Sequence, residues 1–286
     1  MKLKTNRVAS FLIILLIYAV ASAIGLLIYF NLPYHFALSL LIADVISTFF
    51  VFIFSVILKN ASVYDPYWSV QPPVIVITAF LSAKVTPLGI LLLIAILFWG
   101  IRLTLNWGYT FKDLTHQDWR YTMLKEKTGK FYPLINLIGI HLVPTLVVYF
   151  CTLSAVYSIK YEAQINPFSV IFILVSFFAA TLQCIADIEM HRFRKHKTEA
   201  FIRDGLWKYS RHPNYLGEIL MWWGIGLASF SAMPNAPYLL IGAILNTLLF
   251  IFVSIPMADK RQSRKIGYED YKSQTRVILP IYKKQK

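Results

Sequence analysis

Gly205-Leu206-Trp207-Lys208-Tyr209-Ser210-Arg211-His212-Pro213-Asn214-Tyr215-Leu216-Gly217-Glu218 is a polar, aromatic turn that runs without a break into the apolar segment 219–231. Pro213 has a fixed φ and no N–H, so it suits the first turn of a helix, with His212 held extended ahead of it. A helix starting there places Asn214, Glu218 and Trp222 every four residues along one face. Glu218 then lies inside or at the rim of a membrane, where an ionised side chain needs a partner. The plainer reading is a helix start with a snorkelling Arg211. Four polar side chains converging on one membrane entry favour a site.

Composition sets the class. The chain is 57% hydrophobic and 16% aromatic, with a mean hydropathy of +0.59, far from the balance of a soluble domain. A helix needs about 20 apolar residues to cross a hydrocarbon core of roughly 30 Å. Such runs fall at 9–30, 36–58, 87–107, 133–158, 167–188 and 236–256, and shorter ones at 73–83 and 215–232. The expected fold is therefore all-α, a polytopic transmembrane bundle of seven or eight spans, in a single domain over 1–286. The first run is longer than a signal-peptide core and no polar start follows Ala21-Ser22-Ala23, so it reads as a retained helix.

With eight spans, 26 of the 28 Lys and Arg residues fall on one side, and only Lys84 and Lys160 on the other. The positive-inside rule then puts both termini in the cytoplasm. The same asymmetry explains the net charge of +14, so nucleic acid is not needed as a partner. The bilayer itself and anionic headgroups or cofactors suit the basic loops. The long polar loops 108–131 and 189–213 lie on that side, which makes it the expected active face. Cys151 and Cys184 lie in apolar runs without metal-ligand spacing, and His191, His196 and His212 lack the spacing of a metal site. No metal is expected.

The stretch Ser210–Glu218, followed by Trp222, Gly224, Gly267-Tyr268-Glu269-Asp270-Tyr271 and Pro280, resembles the C-terminal half of the steroid 5α-reductase-like membrane enzymes, and in particular their bacterial DUF1295 relatives of unknown substrate. The resemblance spans 60–280 and is strongest over 185–280; residues 1–35 form an extra N-terminal transmembrane helix outside it. An Arg-His-Pro-x-Tyr-x-Gly turn also occurs in isoprenylcysteine carboxyl methyltransferase-like proteins. The resemblance implies an integral protein of a bacterial cytoplasmic membrane, an NADPH cofactor and a lipid-like substrate.

Asp44, in the middle of the second run, reads equally as a functional carboxylate or as a group hydrogen-bonded to Ser39, Ser47, Thr48 or another helix. In the loop Ser62–Pro73, Pro66 is expected to force Asp65 out of the helical region. Tyr64, Tyr67 and Trp68 flank that carboxyl, either as an interfacial aromatic belt or as the wall of a site. By the resemblance, Asp65 takes the place of a Glu that hydrogen-bonds the substrate carbonyl. Trp99 stands where the reductases carry a proton-donating Tyr, three residues before Arg102. An indole N–H orients a carbonyl but is not a general acid near neutral pH, which leaves Tyr64 and Tyr109 as candidate acids. Arg102 is expected to face a phosphate or Asp65.

Asp118, Arg120 and Tyr121 match an Asp-x-Arg-Tyr associated with the DUF1295 proteins. The segment reads as an amphipathic helix on the headgroups, or as a cofactor contact with Arg120 on phosphate and Trp119 or Tyr121 stacking. Asp187 and Arg194 are seven apart on one helical face, and the similar enzymes place such a pair on the dinucleotide. Lys195, Tyr209, Arg211, His212 and Tyr215 complete the expected cofactor shell, with Asn214 and Glu218 anchoring the nicotinamide amide. There is no GxGxxG, P-loop or GxSxG. The leading reading is a membrane NADPH-dependent reductase of a C=C bond conjugated to a carbonyl. The alternatives are a methyltransferase using S-adenosylmethionine and a non-enzymatic membrane protein on the same architecture.

Overall fold

Among the described residues, six helices are long and apolar enough to cross a membrane: Arg7–Asn31, Phe36–Leu58, Pro87–Thr110, Trp119–Lys160, Pro167–His196 and Pro237–Gln262. The computed structural model describes residues 2–196 and 199–279. Lys197 of the basic cluster, Pro280 of the family motif, and Lys283, Lys284 and Lys286 lie outside the described residues. Among the described residues there is no β-strand, only the isolated bridge between Ser210 and Arg276. The chain is an all-α, polytopic helical bundle of an integral membrane protein.

A single turn, α1 (Lys2–Thr5), leads through the Asn6 cap into α2 (Arg7–Asn31) and α3 (Phe36–Leu58). After a 3₁₀ turn at Ala61–Tyr64 come α4 (Tyr67–Leu81) and α5 (Pro87–Thr110). Asp118 caps α6 (Trp119–Thr128), and α7 (Tyr132–Ile135) feeds a π-helical segment, Asn136–Leu142, that continues into α8 (Val143–Lys160). Then follow α9 (Pro167–His196) and α10 (Pro213–Ala232), the latter opened by Pro213 as its sequence predicts. The last rod is α11 (Ile241–Leu249), a second π segment at Phe250–Ser254, and α12 (Ile255–Gln262); α13 (Tyr268–Gln274) closes the described chain.

Polar contacts mark two opposite ends. At one, Lys4 Nζ donates to Leu58 O, Arg7 to Gly108 O, and Arg211 to Asp259. At the other, Lys160 Nζ donates to Ser82 O and Asn166 Nδ2 to Ser231 O. The basic loops therefore gather at one end. α4 and α10 run between the same two ends, although α4, at 15 residues, spans only about 22 Å.

α10 lies at the centre, packed on α9 and α8. A Cβ at Gly224 would sit 2.6 Å from Phe172 O, and one at Gly217 would sit 2.6 Å from Ala179 O. Two glycines seven apart thus let the backbones of α9 and α10 approach closely, the usual membrane solution where no hydrophobic drive exists between helices. Both π segments are followed within two residues by a proline, Pro144 and Pro256. Proline removes the helical N–H and clashes with the carbonyl four residues back, and the wider π register absorbs both effects.

Candidate functional site

The two π segments open the bundle on one side of a cavity of about 580 Å³ at its basic end, and Gly139, Ile140, Phe250 and Val253 line it. That volume lies within the range of small-molecule and cofactor sites. Aromatic walls come from Trp68 and Trp107, and polar groups from three directions converge inside.

One wall is the loop 59–66 stitched to the loop 111–121. Asn60 Nδ2 donates to Leu114 O (2.7 Å) and His116 O (3.1 Å), Gln117 accepts from Ala61 N, and Ser62 Oγ accepts from Asp118 N. This stitching brings the Tyr121 hydroxyl onto Asp65 Oδ1 at 2.5 Å. Asp65 is not extended as expected but helical, at φ −51 and ψ −44. The preference imposed by Pro66 is overridden because the 3₁₀ turn continues and Asp65 N donates to Ser62 O. Burial pushes the Asp65 carboxyl up to about 6, against the Arg120 guanidinium, which lowers it. Tyr64 lines the cavity, but its hydroxyl pairs with Thr145 at 2.7 Å, and burial raises its phenol.

Arg120 lines the same wall, held by Asp118 through Nε at 2.8 Å. Lys112 and His116 lie nearby at the mouth, and Arg261 stacks 4.3 Å over the Trp119 ring. The opposite wall carries Asp187, Asn214 and Tyr215, together with Gln183 and Asn106.

Behind that wall runs a buried relay. Arg102 donates to Asp187 (2.9 Å) and Gln183 Oε1 (2.6 Å); Gln183 Nε2 donates to Glu218 (2.7 Å). Trp99 Nε1 (2.8 Å) and Trp222 Nε1 (2.9 Å) complete the set on Glu218. Of its expected partners, Arg102 thus does not take Asp65; it turns to Asp187 and Gln183 instead. Its position on α5 faces α9, where Asp187 and Gln183 neutralise it in a low-dielectric setting. Glu218 is fully buried and does not line the cavity, so the structure separates it from Asn214, one turn away.

The Arg-His-Pro turn is also occupied. Asp259 accepts from Arg211 (2.8 Å), His212 Nε2 (3.0 Å) and the Tyr268 hydroxyl (2.7 Å), and Arg211 also donates to the Lys272 and Thr275 carbonyls. The turn and the C-terminal helix α13 form one latch. Arg194 and Lys195 are exposed at the end of α9, and Tyr209 is exposed. Tyr109 is 69% exposed beside His191. None of these four lines the cavity.

Of the expected residues, the cavity gathers Asp65, Tyr64, Arg120, Asp187, Asn214 and Tyr215. Trp99, Arg102, Arg211, His212 and Glu218 act around it. Sequence reasoning missed Gln183, although an amide four residues before Asp187 in an apolar helix is a legible signal. It offered Tyr121 only as one of two candidate stacking rings, and only the fold shows its hydroxyl on Asp65.

Fold and cavity define a polytopic helical membrane protein with a polar, aromatic pocket at its basic end. A family model described as "Protein of unknown function (DUF1295)" matches residues 51–275, and the chain belongs to that family. α2 and most of α3 precede the match. No curated protein and no solved structure matches the chain.

Proposed function

We propose that the protein is a membrane-embedded, NADPH-dependent reductase of a C=C bond conjugated to a carbonyl in a steroid-like or other lipid substrate. The observation that carries this reading is one cavity with the Asp65–Tyr121 pair on one wall and the Asp187–Asn214 group on the other. The donor set suits a dinucleotide: Lys112 and Arg120 line the cavity for phosphate, with Arg261 next to them over the Trp119 ring, Asn214 offers an amide inside, and Trp107 and Trp119 offer faces for rings. The resemblance of Asn214 and Asp65 to reductase positions supports the same assignment.

A reduced nicotinamide held between Asn214 and the Asp65–Tyr121 wall would supply the hydride that reduces the conjugated bond. Negative charge then collects on the substrate oxygen, and the chain's task is to meet it. When Asp65 is protonated, its O–H donates to the Tyr121 oxygen, so that Tyr121 can pass its own proton to the substrate oxygen and take the Asp65 proton in its place. The enol then returns to the carbonyl form with a proton from water at the α-carbon. When Asp65 is ionised, the Tyr121 proton is held by the carboxylate and nothing faces the substrate. The pair thus acts as the acid that Trp99 is not. Trp68 and Trp107 exclude water around the developing charge.

The test is the small molecule that copurifies with the protein in mild detergent, followed by titration. NADP(H) in the pocket and a saturable NADPH affinity weakened by Asn214→Ala are expected. S-adenosylmethionine, or no NADPH binding at all, overturns the reading.

A further inference from the structure

Asp44 is 1% exposed in the middle of α3; no donor meets either of its oxygens in good hydrogen-bond geometry, and the Gln71 side chain is the polar group that interacts with it. The hydroxyls that sequence places near it are engaged elsewhere: Ser39 Oγ on Tyr34 O, Ser47 Oγ on Ala21 O, and Thr48 Oγ1 on Thr145. Asp44 lines a second cavity, between α2, α3 and α4, of about 20 Å³, room for one water-sized sphere. Gln71, 5% exposed, lines the same void, and its Oε1 is likewise without a donor. Ser22 and Thr78 add two hydroxyl oxygens.

Two buried groups with unmet oxygens, Asp44 and Gln71, lining one small void suit a ligand that supplies positive charge. No Lys, Arg or His lines the void. An unpaired carboxylate away from water is costly, and hydroxyl and amide oxygens are hard ligands for hard cations. A divalent ion would leave one charge uncompensated against a single carboxylate, and the void is too small for a hydrated one. We infer that Asp44, Gln71, Ser22 and Thr78 form an intramembrane site for one dehydrated monovalent cation of sodium's size, which ties α2 and α3 to α4. This site is separate from the basic-end cavity and does not depend on the proposed reductase chemistry.

The test is thermal unfolding of the detergent-solubilised full chain at mildly alkaline pH, in a sodium chloride series with choline chloride holding ionic strength constant. The Tm of the wild type should rise with sodium and level off, because a ligand that binds only the folded state stabilises it by mass action. Asp44→Asn should melt at a sodium-independent temperature, since its neutral amide needs no cation. Gln71→Leu removes one oxygen and should move the sodium midpoint up by about tenfold, and it decides the matter should Asp44→Asn fail to fold. A wild-type Tm that is equal in sodium and choline overturns the proposal and leaves a neutral Asp44 with a trapped water. Full sodium dependence retained in Asp44→Asn overturns it as well.

Discussion

In the proposed reaction the Asp65–Tyr121 hydrogen bond carries the acid chemistry, and its protonation sets the pH behaviour. The carboxyl sits at about 6 in the folded chain, above its ordinary value of about 4. Its contribution to stability is therefore fully present below the ordinary value and is lost as pH rises through 6. In the proposed reaction the protonated pair is the competent one, so turnover should fall above about pH 6. Asp65→Asn should keep NADPH affinity and expression while lowering turnover by about 10²-fold or more, with that pH limb gone, and Tyr121→Phe should do the same. Steady-state rates across pH decide it, and full activity in both variants removes the pair from the reaction. A second residue-scale contrast lies along α10. Asn214→Ala should weaken NADPH binding by about 1–3 kcal/mol without lowering stability, because its amide faces the cavity. Glu218→Gln should do the reverse, because an amide cannot accept from all three donors that the carboxylate satisfies. Parallel melting and binding titrations separate the two, and equal effects on binding would place Glu218 in the pocket after all.

At the scale of elements, the latch between the Arg-His-Pro turn and α13 joins the start of α10 to the chain that follows α12. Asp259 is its hub, and Arg211 is only 7% exposed. Asp259→Ala strands that guanidinium and should cost about 3–5 kcal/mol, the usual effect of removing one partner of a buried ion pair. α13 should then detach, which limited proteolysis near Tyr268 would reveal. Unchanged protease resistance and melting would show that the Phe201–Tyr268–Tyr271 aromatic cluster holds the helix without the charge. The π segments make a related point. A π-helical turn lies just ahead of Pro144 and of Pro256, and residues of both turns line the cavity wall. Periodicity shows where these helices run, but a one-residue change of hydrogen-bond register leaves no trace in it.

For the whole molecule, the gathering of basic loops at one end predicts a single orientation. Reporter fusions after Lys130, His196 and Lys286 should read cytoplasmic and one near Glu162 should read external. A cytoplasmic signal at Glu162 would break the arrangement. Hydropathy and charge, both properties of the chain summed over about 20 residues, suffice for the all-α membrane class and the segregation of Lys and Arg, but not for every helix limit: α4 begins at Tyr67, inside the expected 62–73 loop, and α9 runs on to His196 past its apolar run. The Pro213 helix start and the Glu218–Trp222 face were equally legible, because both follow from local geometry four residues long. The partners of the charges were not. Arg102 turned to Asp187 and Gln183 on α9 rather than to Asp65, and Asp65 met Tyr121 only because the stitched loops brought it there. A charged side chain in a low-dielectric bundle takes whichever opposite group the helix packing brings within reach, and that packing rests on glycine contacts and helix rotations far from it in sequence. Local pattern therefore determined which elements this protein has, and tertiary packing alone decided which polar groups face the cavity and which are consumed in holding it together.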